Sequence, residues 1–139
     1  MNQPEHNIGL VRDLVLHRIE TAKSDINAAK ILLDAGEYRS SNNRAYYGIY
    51  HAISAVHALE GNAYKKHKDA LANFNKEYVK TEIFPRNIGR RISEAAEIRH
   101  ASDYDDFYIA TRAEVEKQID TAMGLAKLVE VYYKDYVEV

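Results

Sequence analysis

Residues 9–35, GLVRDLVLHRIETAKSDINAAKILLDA, place Val11, Val15, Ile19, Ala22, Ile26, Ala29 and Leu33 at steps of three and four. A helix turns once in about 3.6 residues, so this spacing gathers the seven side chains on one face. Gly36 follows as the stop, because glycine enters the left-handed conformation that closes a helix without a Cβ clash.

The pattern recurs along the chain. A second helix is predicted over 40–59, with Ser40, Ser41, Asn42 and Asn43 as N-cap candidates, Ala45, Ile49, Ala52, Ile53, Val56 and Leu59 as its apolar face, and Gly61-Asn62 as its end. A shorter helix is predicted over 66–80 through Leu71, Phe74 and Val79, followed by a loop over 81–85. A fourth starts at Pro85 or Arg86, carries Ile88, Ile92, Ala95, Ala96 and Ile98, and fades near Ser102. Residues 103–107 read as irregular. The last helix is predicted over 109–136, striped by Val115, Ile119, Ala122, Ala126, Val129 and Tyr133.

No stretch alternates with the period of two that a strand requires, and no repeat or linker interrupts the chain. The expectation is one all-α domain over residues 1–139, an antiparallel, up-and-down bundle of four to five helices, with residues 1–8 flexible. Alanine-rich stripes let helices approach closely, and part of that surface is available to a second copy, so a homodimer is expected.

With 139 residues the chain can bury roughly two thirds of its unfolded surface and needs no staples. It has no cysteine, which excludes disulfides, thiolate metal sites and a cysteine nucleophile, and suits the reducing cytoplasm. No apolar run approaches the ~18 residues that span a bilayer, and the charged N-terminal stretch contains no signal-peptide core. A net charge of -2 argues against a general nucleic-acid coat. The charge is uneven, however. Residues 64–100 hold nine Lys/Arg against five Asp/Glu, which leaves a local basic surface or an ordinary solvated one.

Candidate chemistry concentrates in Asn43-Arg44-Ala45-Tyr46-Tyr47-Gly48-Ile49-Tyr50-His51-Ala52. On a helix Arg44 and His51, seven residues apart, lie on one line about 10 Å apart along the axis, with Tyr47 between them. Gly48, Ala55 and Ala58 flank the line and leave room for a partner helix or a ligand. Arginine clamps phosphate through paired hydrogen bonds, histidine moves protons near neutrality, and tyrosine hydrogen-bonds or stacks on a base. Those parts suffice to cut RNA without a metal, by activating a ribose 2′-hydroxyl and stabilising the charge on the phosphate. On residue types alone, an Arg/His pair on a helix is more often structural, tied to a neighbouring carboxylate or carbonyl.

A second constellation is Arg99-His100-Ala101-Ser102-Asp103-Tyr104, where Arg99 and Asp103 stand in i,i+4 relation. Asp103, Asp105 and Asp106 match no calcium loop, and no metal is expected. His67 lies in the basic stretch as a helix-start residue or a phosphate contact. His6, His17 and His57 lack evident partners and are expected at the surface. Eleven tyrosines imply several half-buried hydroxyls. No Walker loop, Gly-x-Gly-x-x-Gly, His-Glu-x-x-His or nucleophile elbow occurs, nor the Gly-Ser motif with paired aspartates of a nucleotidyltransferase.

The run from Asn43 to Ala52 resembles the R-x-YY-x-x-(F/Y)-H-A signature of small prokaryotic HEPN (higher eukaryotes and prokaryotes nucleotide-binding) domain proteins. Ala28 to Leu33 with Gly36-Glu37-Tyr38 resembles the family's first helix and turn. His67-Lys68 with Phe74 and Val79 resembles its SH…F…fV segment, and Arg99-x-x-x-Asp103-Tyr104 its R-x-x-ADY motif. Together these cover about residues 20–130 in the family's order.

The resemblance implies a helical bundle, commonly dimeric, in which an R-x(4–6)-H motif serves as a metal-independent ribonuclease site; Arg44-x6-His51 fits that spacing. Toxin-type relatives carry R-x4-H nearer the C-terminus, where this chain has Arg99-x-x-x-Asp103-Tyr104 with aspartate in place of the histidine, a departure that fits a binding or regulatory role, or a site in which Arg44 and His51 meet Arg99 and Asp103 across the bundle. The resemblance implies an endoribonuclease of a toxin–antitoxin or defence pair. Arg44 and His51 would be catalytic, with Tyr47, His67, Arg99, Asp103 and Tyr104 lining the site, and Asp103 orienting His51 or pairing with Arg44. It needs no cofactor and acts on RNA or a nucleotide, beside an antitoxin or nucleotidyltransferase. The alternative is a non-catalytic module that binds a nucleotide or a nucleotidyltransferase.

Overall fold

A computed structural model describes the backbone of residues 4–138 and the side chains of residues 9–138. It is an all-α bundle: α1 (Pro4–Asp34), α2 (Tyr38–Leu59), α3 (His67–Phe74) running into a π-helical turn (Asn75–Val79), α4 (Arg86–Tyr104) and α5 (Arg112–Glu138). Helix α2 is central and packs against each of the other four helices. The expected apolar faces are the buried ones. Val15, Ile19, Ala22, Ile49, Ile53, Val56, Ile88, Ile92, Ala122 and Val129 meet in one core, and Ala29, Leu33, Ala45, Val115 and Ile119 form a smaller cluster.

Two glycines close their helices as their positions suggest. Gly36 has φ 78°, with the Gly36 amide donating to the Leu33 carbonyl and the Glu37 amide to the Leu32 carbonyl. Gly61, at φ 75°, repeats the arrangement, its amide reaching the Ala58 carbonyl and that of Asn62 the His57 carbonyl. Both are paired-hydrogen-bond stops of the Schellman kind.

The boundaries differ in instructive ways. Helix α1 already runs from Pro4. The flexible stretch expected over 1–8 falls on residues 1–3, which lie outside the described residues, and on the first backbone turn of α1. Helix α2 begins at Tyr38, so Ser40, Ser41, Asn42 and Asn43 lie inside it and none caps it. Ser41 instead donates to the Ala29 carbonyl of α1 at 2.6 Å. Helix α4 runs on to Tyr104, which makes Arg99 and Asp103 true helical neighbours.

The loop over 81–85 is pinned by a residue the periodicity passed over. Phe84 is buried with Phe74, Tyr78 and Tyr132 in an aromatic cluster. Gly89 lets the π-turn approach α4, since a Cβ there would stand 2.7 Å from Val79 Cγ1. Gly48 does the same for α1 against α2, with Ile26 Cγ1 at 2.9 Å from the Cβ position. The room expected beside Gly48 for a partner helix or a ligand is thus taken by a helix, α1 of the same chain. No described helix is long and apolar enough to cross a membrane.

Candidate functional site

The polar line on α2 is real, and α1 supplies what the sequence did not suggest. Asp25, nearly buried, divides its carboxylate between the two ends of the line. Oδ1 lies 3.2 Å from Arg44 Nη1 and accepts its hydrogen bond, and Oδ2 lies 2.8 Å from His51 Nδ1. Asp103, implied by the resemblance to orient His51 or pair with Arg44, does neither. The carboxylate of Asp103 is occupied elsewhere: Oδ2 stands 2.9 Å from Arg99 Nε, an ion pair in which the N–H does not point at the oxygen.

Asp25 has a sequence signal, seen in retrospect. It follows Ala22 by three residues and precedes Ala29 by four, so it is a charge on the inward face of α1. Arg18, one heptad earlier, shares that line and donates from Nη1 to the Ser54 carbonyl of α2 at 2.9 Å. A buried carboxylate is costly unless paired and hydrogen-bonded, and Asp25 is both.

An aromatic floor surrounds the line. The Arg44 guanidinium lies 4.8 Å from the Tyr47 ring centroid. Arg99 of α4 reaches across the bundle, with its guanidinium 5.1 Å from the Tyr46 ring and 5.7 Å from the Tyr47 ring, and Nη2 donates to the Tyr47 hydroxyl at 3.4 Å. Planar cations over ring faces are favourable contacts.

His67, the first residue of α3, stacks on Tyr50 with centroids 3.8 Å apart, and its Nδ1 lies 3.2 Å from the Tyr46 hydroxyl. Of the expected site residues, Arg44, Tyr47, His51, His67 and Arg99 come together, and Asp103 joins through Arg99. Tyr104 does not reach the cluster. It is 71% exposed, and its ring lies against His100. Tyr46 and Tyr50 belong to the floor, though periodicity alone could not distinguish them from core residues.

Burial pushes the Tyr46 hydroxyl up to about 12, so it stays protonated near neutrality. His67 is lowered from the ordinary histidine value by burial first, then by the positive charge of Arg99 and by His51. His57, expected at the surface, is instead 2% exposed. Its Nε2 donates to the Ala70 carbonyl at 2.9 Å, its Nδ1 has no partner, and burial lowers its proton affinity. His17 is exposed, and the side chain of His6 lies outside the described residues.

Two clefts open on either side of the line. One, of about 520 Å³, brings Arg39, Asn43, Ser102 and Asp103 beside Arg44. The other, of about 270 Å³, brings Arg18, Tyr50, Ser54 and Tyr64 beside His51. Among the described residues no three His, Asp or Glu side chains cluster as metal ligands.

Such a constellation can hold a polyanion and move a proton. Asp25 accepts from His51 Nδ1–H, which fixes the tautomer and leaves Nε2 as the working nitrogen, the role of the aspartate in a Ser-His-Asp triad. Arg44 donates one hydrogen bond from Nη1 to Asp25 and one from Nη2 to Asn43, and its remaining N–H groups can donate to a phosphate oxygen.

Comparison with known proteins agrees with this architecture. A UPF0332 protein of Thermotoga maritima is 30% identical over 114 residues, 82% of this chain and 86% of its own length. A Methanocaldococcus jannaschii protein named "Putative toxin MJ0605" is 31% identical over 94 residues, 68% of this chain and 70% of its own. The crystal structure of TT1696 from Thermus thermophilus superposes with a TM-score of 0.71 at 20% identity, covering 84% of this chain and 95% of that one, and shares the fold. The family model for the HEPN domain matches residues 15–132, and the chain belongs to the HEPN domain family.

Proposed function

We propose that this protein is a metal-independent endoribonuclease of toxin type, active in the cytoplasm and held in check by an antitoxin partner. The observation that carries the reading is the Asp25 carboxylate shared between Arg44 and His51. It presents a phosphate clamp and a proton-transfer nitrogen side by side, and both are needed where RNA is cut through its own 2′-hydroxyl. Arg44 neutralises charge on the phosphate, and His51 moves a proton at Nε2. Tyr47 and Arg99 hold the strand, and Asp103 sets the orientation of Arg99. The name of one relative, "Putative toxin MJ0605", supports the biological setting.

The proposed active unit is a homodimer. Phe107 at 92% and Ile109 at 80% exposure form an apolar surface beside α4 that suits a protein contact. Light scattering at working concentration is expected to give twice 15.9 kDa, and the mass of one chain would reject the dimer.

The test is RNA cleavage by purified protein in EDTA. Wild type is expected to cut, while Arg44→Ala and His51→Ala, folded by circular dichroism, lose the activity. Equal cleavage by wild type and both variants would reject the site. Absence of cleavage by wild type favours the second reading, a module that binds a nucleotide or nucleotidyltransferase. One observation favours that reading: the Asp25 carboxylate offsets part of the Arg44 charge that a ribonuclease would direct at the phosphate.

A further inference from the structure

Cutting RNA through the 2′-hydroxyl needs two proton positions, one to receive the hydroxyl proton and one to supply the leaving oxygen. His51 alone provides one. His67 stands over the same floor: the Tyr47 ring is 6.0 Å from the His51 ring and 5.7 Å from that of His67, and the Tyr50 ring is 5.7 Å and 3.8 Å from them. Each imidazole has Nδ1 engaged, by Asp25 for His51 and by the Tyr46 hydroxyl for His67, so each leaves Nε2 free.

The charged surroundings of the two rings differ. His51 has at its Nδ1 the Asp25 carboxylate, which it shares with Arg44. His67 faces the Tyr46 hydroxyl and the rings of Tyr47 and Tyr50 on α2, and its burial, with the positive charge of Arg99 on α4 and with His51, favours the neutral ring.

We infer that His67 is a second catalytic residue, the general base, and that His51 is the general acid, for strand cleavage by attack of a ribose 2′-oxygen on the adjacent phosphate. This rests on the ribonuclease reading. In the step, neutral His67, in the tautomer whose Nδ1–H donates to the Tyr46 hydroxyl oxygen, takes the 2′-hydroxyl proton at Nε2 as the 2′-oxygen bonds to phosphorus. The bond from phosphorus to the 5′-oxygen breaks, and that oxygen takes the proton from Nε2–H of His51, whose Nδ1–H remains on Asp25. The products are a 2′,3′-cyclic phosphate and a 5′-hydroxyl end. Exchange with solvent restores both rings, and no other reactant is consumed. The lowered proton affinity of His67 agrees with a base that is neutral at pH 7.

The experiment compares wild type, His51→Ala and His67→Ala on two substrates in EDTA. One is an RNA oligonucleotide. The other is the set of four nucleoside 3′-(4-nitrophenyl phosphates), whose leaving group departs without a proton. On RNA both variants are expected to fall by roughly 10²–10⁴-fold. On the nitrophenyl esters His51→Ala is expected to return to within about tenfold of wild type while His67→Ala stays impaired, because only the acid becomes dispensable. Wild-type cleavage matched by His67→Ala overturns the inference and leaves the ribonuclease reading intact, as does nitrophenyl rescue of His67→Ala. A wild type inert on RNA and on the esters overturns both.

The wild-type pH profile needs no variant. The acid limb of kcat/KM is expected to have its midpoint below the ordinary histidine value of about 6.5. A limb at or above that value counts against His67 as base.

Discussion

Oδ2 of Asp25 stands 2.8 Å from Nδ1 of His51, and the same carboxylate meets Arg44 through its other oxygen. One residue of α1 thereby sets the geometry of two residues on α2, and everything that fixes the spacing of these helices also fixes the site. Ile26, the next residue on α1, is the one that packs onto Gly48 of α2. The core contact and the polar contact are therefore adjacent steps of one interface.

Gly48→Ala tests this coupling. The new methyl would stand 2.9 Å from Ile26 Cγ1 and 3.4 Å from the Ala22 carbonyl oxygen, and Ile26 is buried. The expected cost is about 1–3 kcal/mol, because an overpacked core shifts backbone and rotamers. The shift carries Asp25 away from His51, so cleavage is expected to fall along with the urea midpoint. Full activity in a destabilised Gly48→Ala would show that the site tolerates movement of α1.

His57 makes stability depend on pH. Its folded-state proton affinity is lowered by burial, so the unfolded chain binds the proton more readily. Stability from this group is present above the unfolded value of about 6.5 and is lost as pH falls below it toward the folded value. Thermal melts of wild type are expected to drop from pH 7 to pH 5.5, and His57→Gln is expected to flatten that drop. A drop of the same size in both proteins would remove His57 as its source.

Arg99 tunes His67 by charge. Removing the guanidinium in Arg99→Gln is expected to raise the proton affinity of His67, since a nearby cation disfavours imidazolium. The His67 ring proton, assigned in NMR spectra by its absence from His67→Ala, should titrate at higher pH in the variant. A shift downward or none would mean that Arg99 acts on His67 only through the tyrosine floor.

Glu82, at φ 65°, is a non-glycine residue in the left-handed region, in the turn that leads Phe84 into the core. Glu82→Gly removes a Cβ clash of roughly 1–2 kcal/mol. It also loses the exposed ion pair to Arg86 and raises unfolded-state entropy, each by a fraction of that. A small net gain in melting temperature is expected by calorimetry, and a clear loss would contradict it.

The bundle was legible because each helix is amphipathic, and heptad spacing survives any error of a few residues at its ends. Arg44, Tyr47 and His51 were legible as a line for the same reason. Asp25 was not, because its partners lie 19 and 26 residues away on another helix and local spacing carries no trace of them. Its only mark was charge at an inward position of α1. His57 was misread for the converse reason: its burial comes from Tyr64, Phe74 and Tyr78, which tertiary folding brings around it. The N-cap candidates failed because Ser41 and Asn42 are buried, and packing of α1 against α2 outweighed capping propensity.

The most direct measurement is the rate of RNA cleavage in EDTA by Asp25→Asn beside wild type. Asparagine keeps the shape of the side chain while removing its charge and one acceptor. The rate is expected to fall by roughly two to four orders of magnitude, the upper end being the drop seen when the orienting aspartate of a Ser-His-Asp triad becomes asparagine, with helix content unchanged. A folded Asp25→Asn that cuts RNA as fast as wild type would contradict the claim that this carboxylate organises the site.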